Sequence, residues 1–105
     1  MRRGEVWWVE LPLPVGRRPV VLLSRDSAYR VRTSVTVGVV TSTARDIPVE
    51  VPLDKSDGMP RDCVVNLDDI LTIPKSRLVE RITTLSALKM ASIAKAIAFA
   101  LDLKL

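Results

Sequence analysis

Apolar and β-branched residues gather in six short stretches of the chain, and a helical pattern follows them. These stretches predict strands at Glu5–Leu11, Arg18–Ser24, Val35–Ser42, Pro48–Leu53, Cys63–Ile73 (one or two strands) and Leu78–Ile82. Alternation along the first strand places Trp7 and Val9 on one face and Val6 and Trp8 on the other. The second stretch is apolar on both faces, which indicates a central strand.

Prolines, glycines and polar residues separate the strands and precede one helix. The predicted loops, turns and irregular segments are Pro12–Gly16, Arg25–Ser34, Ala44–Asp46, Lys55–Pro60 and Pro74–Arg77, with a bulge or bend at Asn66–Asp69. Ser86 is a plausible N-cap for a helix from about Ala87 to Leu101, whose apolar positions include Leu88 and Ile93. The pattern predicts a mostly antiparallel β domain, closed by a C-terminal helix.

The chain has 105 residues, which suits one domain over 1–105 with a single core. Sixteen basic against twelve acidic side chains give a net charge of +4. That excess fits a polyanionic partner about as well as it fits solubility alone. No apolar segment follows Met1-Arg2-Arg3, so we expect no signal peptide, and the charged C-terminal stretch predicts no membrane span.

Cysteine and histidine usage narrows the chemistry that the chain can perform. Cys63 is the single cysteine and histidine is absent, so neither an internal disulfide nor a zinc-type cluster can form. A lone cysteine fits a reducing cytoplasm, and its strand setting predicts a buried, inert thiol. Counting alone leaves a carboxylate-held Mg²⁺ open, because Glu50, Asp68 and Asp69 are present.

Arg18 precedes Pro19 and opens the second strand, so its backbone is restricted to an extended geometry. A salt bridge to Glu5 or Glu10 is the simpler role for such an arginine. Thr41 closes the third strand, and antiparallel pairing would bring it to the same sheet end as Arg18. A guanidinium beside a hydroxyl can hold and stabilise a phosphate.

Several arginines also lie in the predicted loops. They are Arg17, Arg25, Arg30, Arg32 and Arg45, with Tyr29 among them. Basic loops with an interleaved aromatic suit single-stranded nucleic acid, although a solvated loop surface explains them almost as well. From the residues alone, the chain is a small basic β-rich domain with a strand end suited to an anion.

Several ordered motifs resemble the MazF/PemK-type toxins of bacterial toxin–antitoxin systems. They are Arg3-Gly4-Glu5-Val6-Trp7-Trp8-Val9-Glu10-Leu11, Gly16-Arg17-Arg18-Pro19-Val20-Val21-Leu22-Leu23-Ser24, Val39-Val40-Thr41-Ser42, Asp62-Cys63-Val64-Val65-Asn66 and Leu85-Ser86. The resemblance spans essentially the whole chain. It implies a mainly β fold, a small SH3-like antiparallel β-barrel with a C-terminal α-helix, working as a homodimer.

The resemblance also implies a cytoplasmic endoribonuclease that needs no metal or cofactor and that a cognate antitoxin inhibits. Its catalytic pair would be Arg18 and Thr41. Cleavage of single-stranded RNA would use the substrate's own 2′-OH and leave 2′,3′-cyclic phosphate and 5′-OH ends. The candidate RNA-binding residues are Arg17, Ser42, Thr43, Arg45, Asp68 and Asp69.

Two departures from the family pattern leave the RNA sequence and class open. The loop Pro12–Gly16 is short, and Leu71 stands where many members carry an arginine. The RNA substrate that the resemblance implies could therefore belong to the messenger, transfer or ribosomal class. Two rival functions stay open as well: a gyrase-directed toxin of the same fold, which is not an enzyme, and an RNA-binding module without catalysis.

Overall fold

Six strands form one antiparallel sheet in the computed structural model, which describes residues 1–104. The strands are β1 (Glu5–Glu10), β2 (Arg17–Leu22), β3 (Ser34–Thr41), β4 (Glu50–Leu53), β5 (Cys63–Pro74) and β6 (Leu78–Thr84). Their order across the sheet is β4-β5-β3-β2-β1-β6. The sheet curls into a half-barrel, which confirms the mainly β, SH3-like prediction.

The central strand β2 contributes to two hydrophobic clusters, one on each face of the sheet. Val20 and Leu22 pack on one side, and Val21 packs on the other with Leu23, which directly follows the strand. This two-sided burial explains why the second apolar stretch shows no alternation. Burying both faces fixes β2 firmly, so the strand end that carries Arg18 is rigidly mounted.

Among the described residues, two α-helices accompany the sheet, α1 (Ala28–Val31) and α2 (Ala87–Ala100), with short 3₁₀ helices at Lys55–Asp57 and Lys75–Arg77. The Ser86 hydroxyl caps α2, accepting a hydrogen bond from the Lys89 N–H at 3.0 Å, as predicted. Of the two predicted apolar positions, Ile93 is buried together with Ala96, whereas the prediction for Leu88 is wrong, because that side chain is 82% exposed. Within residues 1–104, no helix combines the length and the apolar character needed to cross a membrane.

The segment predicted as irregular, Arg25–Ser34, contains the short helix α1. Tyr29 lies in this helix and is buried, and its hydroxyl donates a hydrogen bond to the Ser24 carbonyl at 3.0 Å. The prediction that Tyr29 is a surface aromatic among basic loops is therefore wrong. The prediction that Arg17 lies in a loop is also wrong, since β2 begins at that residue.

Because Tyr29 is buried, we expect the fold to lose stability at alkaline pH. Burial raises the pKa of Tyr29 from 10.0 to about 12. The neutral phenol is thus favoured in the fold, and its contribution is complete below about pH 10. That contribution is lost as the pH rises through the folded-state pKa, because the unfolded chain ionises first.

We therefore expect the native chain to lose more stability than Tyr29→Phe between about pH 9 and about pH 11.5. Urea midpoints measured for both proteins at the two pH values check this result. The Phe variant is the matched control, since it keeps the ring and every lysine that titrates in the same range. Equal losses in the two proteins would contradict the assignment.

Candidate active site

The sheet splits between β2 and β3, at the end where Arg18 and Thr41 lie. The last residue pair that the two strands share is Val20 with Val39. Beyond it, β2 extends to Arg17 through pairing with β1, and β3 extends to Thr41 through pairing with β5. Pro19 has no N–H to continue a ladder at this point. We call this opening the split.

Arg18 and Thr41 face each other across the split. The β2–β3 register, extended by two residues from Val20 and Val39, sets Arg18 opposite Thr41. Both residues are partly buried. The sequence predicted that the two would meet at one sheet end, and the strand register places them there.

Two cavities open at the split, and Arg18 and Thr41 line both of them. The Trp8 cavity, of about 270 Å³, also contains Arg17, Ser42 and Arg61. The Asn66 cavity, of about 440 Å³, also contains Thr43, Arg45, Glu50 and Asp69. Of the residues that the structure describes, Val15 alone joins Arg18 and Thr41 in lining both cavities. The predicted pair therefore forms the partition between two openings.

Arg18 forms no salt bridge with Glu5, Glu10 or any other described acidic residue, so the prediction of a simple salt bridge is wrong. No carboxylate within residues 1–104 lies within 4.0 Å of its guanidinium. Glu5 is instead buried, where it accepts a hydrogen bond from the Trp7 indole at 2.8 Å and pairs with Arg81 at 3.7 Å. The Arg18 guanidinium can therefore serve an anion that enters the split.

The Thr41 hydroxyl is held so that its proton remains available. Its oxygen accepts a weak hydrogen bond from the Thr43 N–H, at 3.3 Å. A hydroxyl that accepts from the backbone can still donate its own proton. Thr41 can therefore donate to a phosphate oxygen in the split, beside the charge of Arg18.

The Trp8 cavity joins an aromatic surface to positive charge. The Arg17 guanidinium lies over the Trp8 ring, 5.1 Å from its centroid, and 3.9 Å from the Glu80 carboxylate. Sequence reasoning missed Trp8 and Arg61 as site residues, and only the strand alternation signalled Trp8, by placing it opposite Trp7. Cys63 lines the cavity too and is only partly buried, so the prediction of a buried thiol is wrong; the burial it does have raises the pKa of that thiol.

Glu50 fixes the loop that borders the Asn66 cavity. Its carboxylate oxygen accepts the backbone N–H groups of Arg45, at 2.8 Å, and of Asp46, at 3.0 Å. These charge-assisted bonds hold the turn that carries Thr43 and Arg45 against the cavity. The sequence offered Glu50 only as a possible metal ligand, and nothing in its pattern signalled this backbone contact.

A bulge in β5 shapes the far wall of the Asn66 cavity, as predicted. Val39 pairs with Asn66 while the adjacent Gly38 pairs with Ile70, so residues 67–69 have no partner on β3. Asp69 lines the cavity next to the buried Asn66, whose amide nitrogen lies 3.4 Å from the Asp69 carboxylate. Asp68 is exposed and lines neither cavity. The adjacent aspartates therefore have different surroundings.

Two further observations bear on ligands of the site. Leu71, which stands where the resemblance expects an arginine, lines the Asn66 cavity. In the described part of the chain, no three Cys, Asp or Glu side chains form a group that could hold a metal ion. The site thus offers guanidinium, hydroxyl, amide and carboxylate groups.

Comparison with known proteins agrees with this architecture. A family described as "PemK-like, MazF-like toxin of type II toxin-antitoxin system" matches residues 2–101. A probable endoribonuclease, MazF5 of Mycobacterium tuberculosis, is 42% identical over 101 residues, covering 95% of this chain and 92% of the relative.

Solved structures show the same likeness. The toxin MazF-mt6 of Mycobacterium tuberculosis superposes with a TM-score of 0.89 at 34% identity, covering 96% of this chain and 99% of the other. A mycobacterial endoribonuclease in complex with its cognate antitoxin has a TM-score of 0.88 at 30% identity, covering 100% of this chain and 98% of the other. The chain belongs to the PemK-like, MazF-like toxins of type II toxin–antitoxin systems.

Proposed function

We propose that this toxin is an endoribonuclease that cuts single-stranded RNA without a metal ion, at the split between β2 and β3. The observation that carries the proposal is the position of Arg18 opposite Thr41, on the partition between two cavities. A phosphate at the partition would leave room for a nucleotide on either side. The relatives and solved neighbours named as endoribonucleases support the same reaction.

In the proposed reaction, the RNA supplies its own nucleophile. The 2′-oxygen forms a bond to the adjacent phosphorus and the bond from phosphorus to the 5′-oxygen breaks. The 2′-OH loses its proton and the leaving 5′-oxygen gains one, so the products carry 2′,3′-cyclic phosphate and 5′-OH ends. Alignment of the 2′-OH with the leaving oxygen supplies much of the rate.

Arg18 and Thr41 would act on the phosphate rather than on the nucleophile. The Arg18 guanidinium stabilises the negative charge that grows on the phosphate oxygens, and the Thr41 hydroxyl donates a hydrogen bond to the same group. The guanidinium of arginine stays protonated in proteins, so it is a poor general base. Charge stabilisation is therefore its main role in this proposal.

The remaining cavity residues would hold the flanking nucleotides. On the Trp8 side these are Arg17 and Ser42, and on the Asn66 side they are Thr43, Arg45 and Asp69. The indole of Trp8 offers a surface on which a base can stack. Asp68 has no role in this proposal, because it lines neither cavity.

We further propose a cytoplasmic homodimer that a cognate antitoxin inhibits. The solved endoribonuclease in complex with its cognate antitoxin, which aligns with all of this chain, supports this partner. An acidic, partly disordered segment laid along the basic residues of the split would block RNA. Cytoplasmic RNA of the messenger, transfer or ribosomal class would be the substrate.

The proposal is tested by incubating purified protein with single-stranded RNA in excess EDTA and mapping the ends. We expect cleavage with 2′,3′-cyclic phosphate and 5′-OH termini. The matched control is the same RNA with one 2′-deoxynucleotide before the cut, which should stay intact. Uncut RNA at stoichiometric protein would overturn the nuclease, while a metal requirement or a cut deoxy control would overturn the mechanism.

A further inference from the structure

A second basic surface is built from two segments that meet at the start of β3. Pro74 pairs with Ser34, the Lys75 N–H donates to the Thr33 carbonyl at 2.9 Å, and the Lys75 Nζ donates to the Tyr29 carbonyl at 2.8 Å. These contacts join residues 24–34 to residues 74–77. The basic side chains of the two segments, which we call the distal basic face, are Arg25, Arg30, Arg32, Lys75 and Arg77.

The distal basic face accounts for the whole net charge of the chain. Its two segments hold five basic side chains and one acidic side chain, Asp26, for a net charge of +4. The other eleven basic and eleven acidic side chains cancel. A charge that serves only solubility needs no such concentration, because it acts equally well when dispersed over the surface.

The charges of the distal basic face lack acidic partners. Within residues 1–104, none of its five side chains makes a salt bridge. The Asp26 carboxylate instead accepts the backbone N–H of Arg3, at 2.7 Å. The four arginines of the face are exposed. Clustered, unpaired guanidinium groups repel one another, and a chain of phosphates would relieve that repulsion.

The face lies away from the split but within reach of one RNA strand. Strand β3 runs from Ser34, beside the face, to Thr41 at the split. Seven steps of about 3.3 Å make that distance about 23 Å along the strand. With nucleotides spaced about 3.4 Å apart, as in a stacked strand, about seven nucleotides span it.

We infer that the distal basic face binds the phosphodiester backbone of the RNA strand whose scissile phosphate lies at the split. This inference rests on the proposed function for the identity of the strand. Contacts to phosphates alone carry no base preference, so the face would add affinity for long RNA without changing the sequence that is cut. An acidic protein is the other conceivable occupant, but regularly spaced phosphates match guanidinium forks better.

Binding of two oligouridylates, about three and about twenty-four nucleotides long, tests the inference, because only the longer one can reach both sites even when the strand is extended to about twice the stacked spacing. Fluorescence anisotropy compares the native chain with a triple variant that carries Arg25→Ala, Arg30→Ala and Arg32→Ala. We expect the long RNA to bind about tenfold more weakly or worse at low salt, with the short RNA unchanged. The slope of log affinity against log salt should fall by about two, at about 0.7 for each lost phosphate contact.

The matched control removes three exposed lysines elsewhere, through Lys55→Ala, Lys95→Ala and Lys104→Ala. Equal losses in the two triple variants on long RNA would overturn the inference, as would an equal loss on short RNA. A loss of affinity for the antitoxin alone would also overturn it and assign the face to a protein partner.

Binding is measured separately from cleavage, so the two proposals can fail independently. A native chain that binds long RNA through this face but cuts no RNA would overturn the proposed function and support the face. A native chain that cuts RNA normally, with the arginine variant indistinguishable from it on long RNA, would do the reverse.

Discussion

Arg18→Ala should lower kcat/KM for RNA cleavage by about 10³-fold, because the variant loses the one cation on the partition between the cavities. The loss should lie mainly in kcat, since the guanidinium stabilises charge that grows only in the transition state. Arg18→Lys should recover only part of the rate, because an ammonium lacks the planar fork that fits a phosphate. Single-turnover cleavage of a short RNA measures each variant.

Arg17→Ala is the matched control, since it removes the same charge from the neighbouring position. It should raise KM by at most about tenfold and leave kcat nearly unchanged, because Arg17 lies over Trp8 and beside Glu80, away from the partition. Thr41→Ala should resemble Arg18→Ala. If Arg18→Ala still cut RNA at the native rate, the assignment of the pair would fail. If it still arrested growth without cutting RNA, a target such as gyrase would explain the toxicity.

Ile93→Ala should destabilise the fold by about 3 kcal/mol or more, within the range for a fully buried isoleucine cut back to alanine. Ile93 is fully buried in the cluster beneath α2, with Val6, Val21 and Val65 from the sheet. For a domain of this size, 1 kcal/mol shifts Tm by about 4–8 °C, so we expect a fall of at least about 12 °C. Differential scanning calorimetry measures it.

Leu88→Ala is the control for this loss, since Leu88 lies on the same helix and is 82% exposed. Its effect should stay within about 0.5 kcal/mol, as for an ordinary surface substitution. Similar losses in the two variants would mean that α2 does not dock through Ile93. The pair also tests the corrected apolar face of the helix.

The sequence predicted all six strands, because their periodicity reflects burial that the structure preserves. The continuous apolar run of β2 indicated a strand buried on both faces, and Ser86 indicated where the C-terminal helix begins. The prediction for Leu88 was wrong because it lies five positions before Ile93, which rotates it by about 140° around the helix and away from the buried face. The prediction that Tyr29 lies in a loop was wrong, because a four-residue helix leaves almost no periodic signal in the sequence.

The proximity of Arg18 and Thr41 in the candidate site was predictable from the direction of the two strands that carry them. Arg18 opens a strand and Thr41 closes the neighbouring antiparallel strand, so the two had to share a sheet end. The contact between Glu50 and the Arg45 backbone depends on a loop conformation that no residue pattern encodes. The separation of the basic loops into two groups also needed the fold, because charge along a chain does not show which loops meet.

The split leaves the ends of β2 and β3 supported by different neighbouring strands. Arg18 lies on the strand end that pairs with β1, and Thr41 lies on the strand end that pairs with β5. Next to the split, β2 and β3 are joined by the short ladder from Val20 to Leu22. The distance between Arg18 and Thr41 therefore depends on the angle between the two strand ends, which packing around the buried residues Val20 to Leu22 sets without any contact to a ligand.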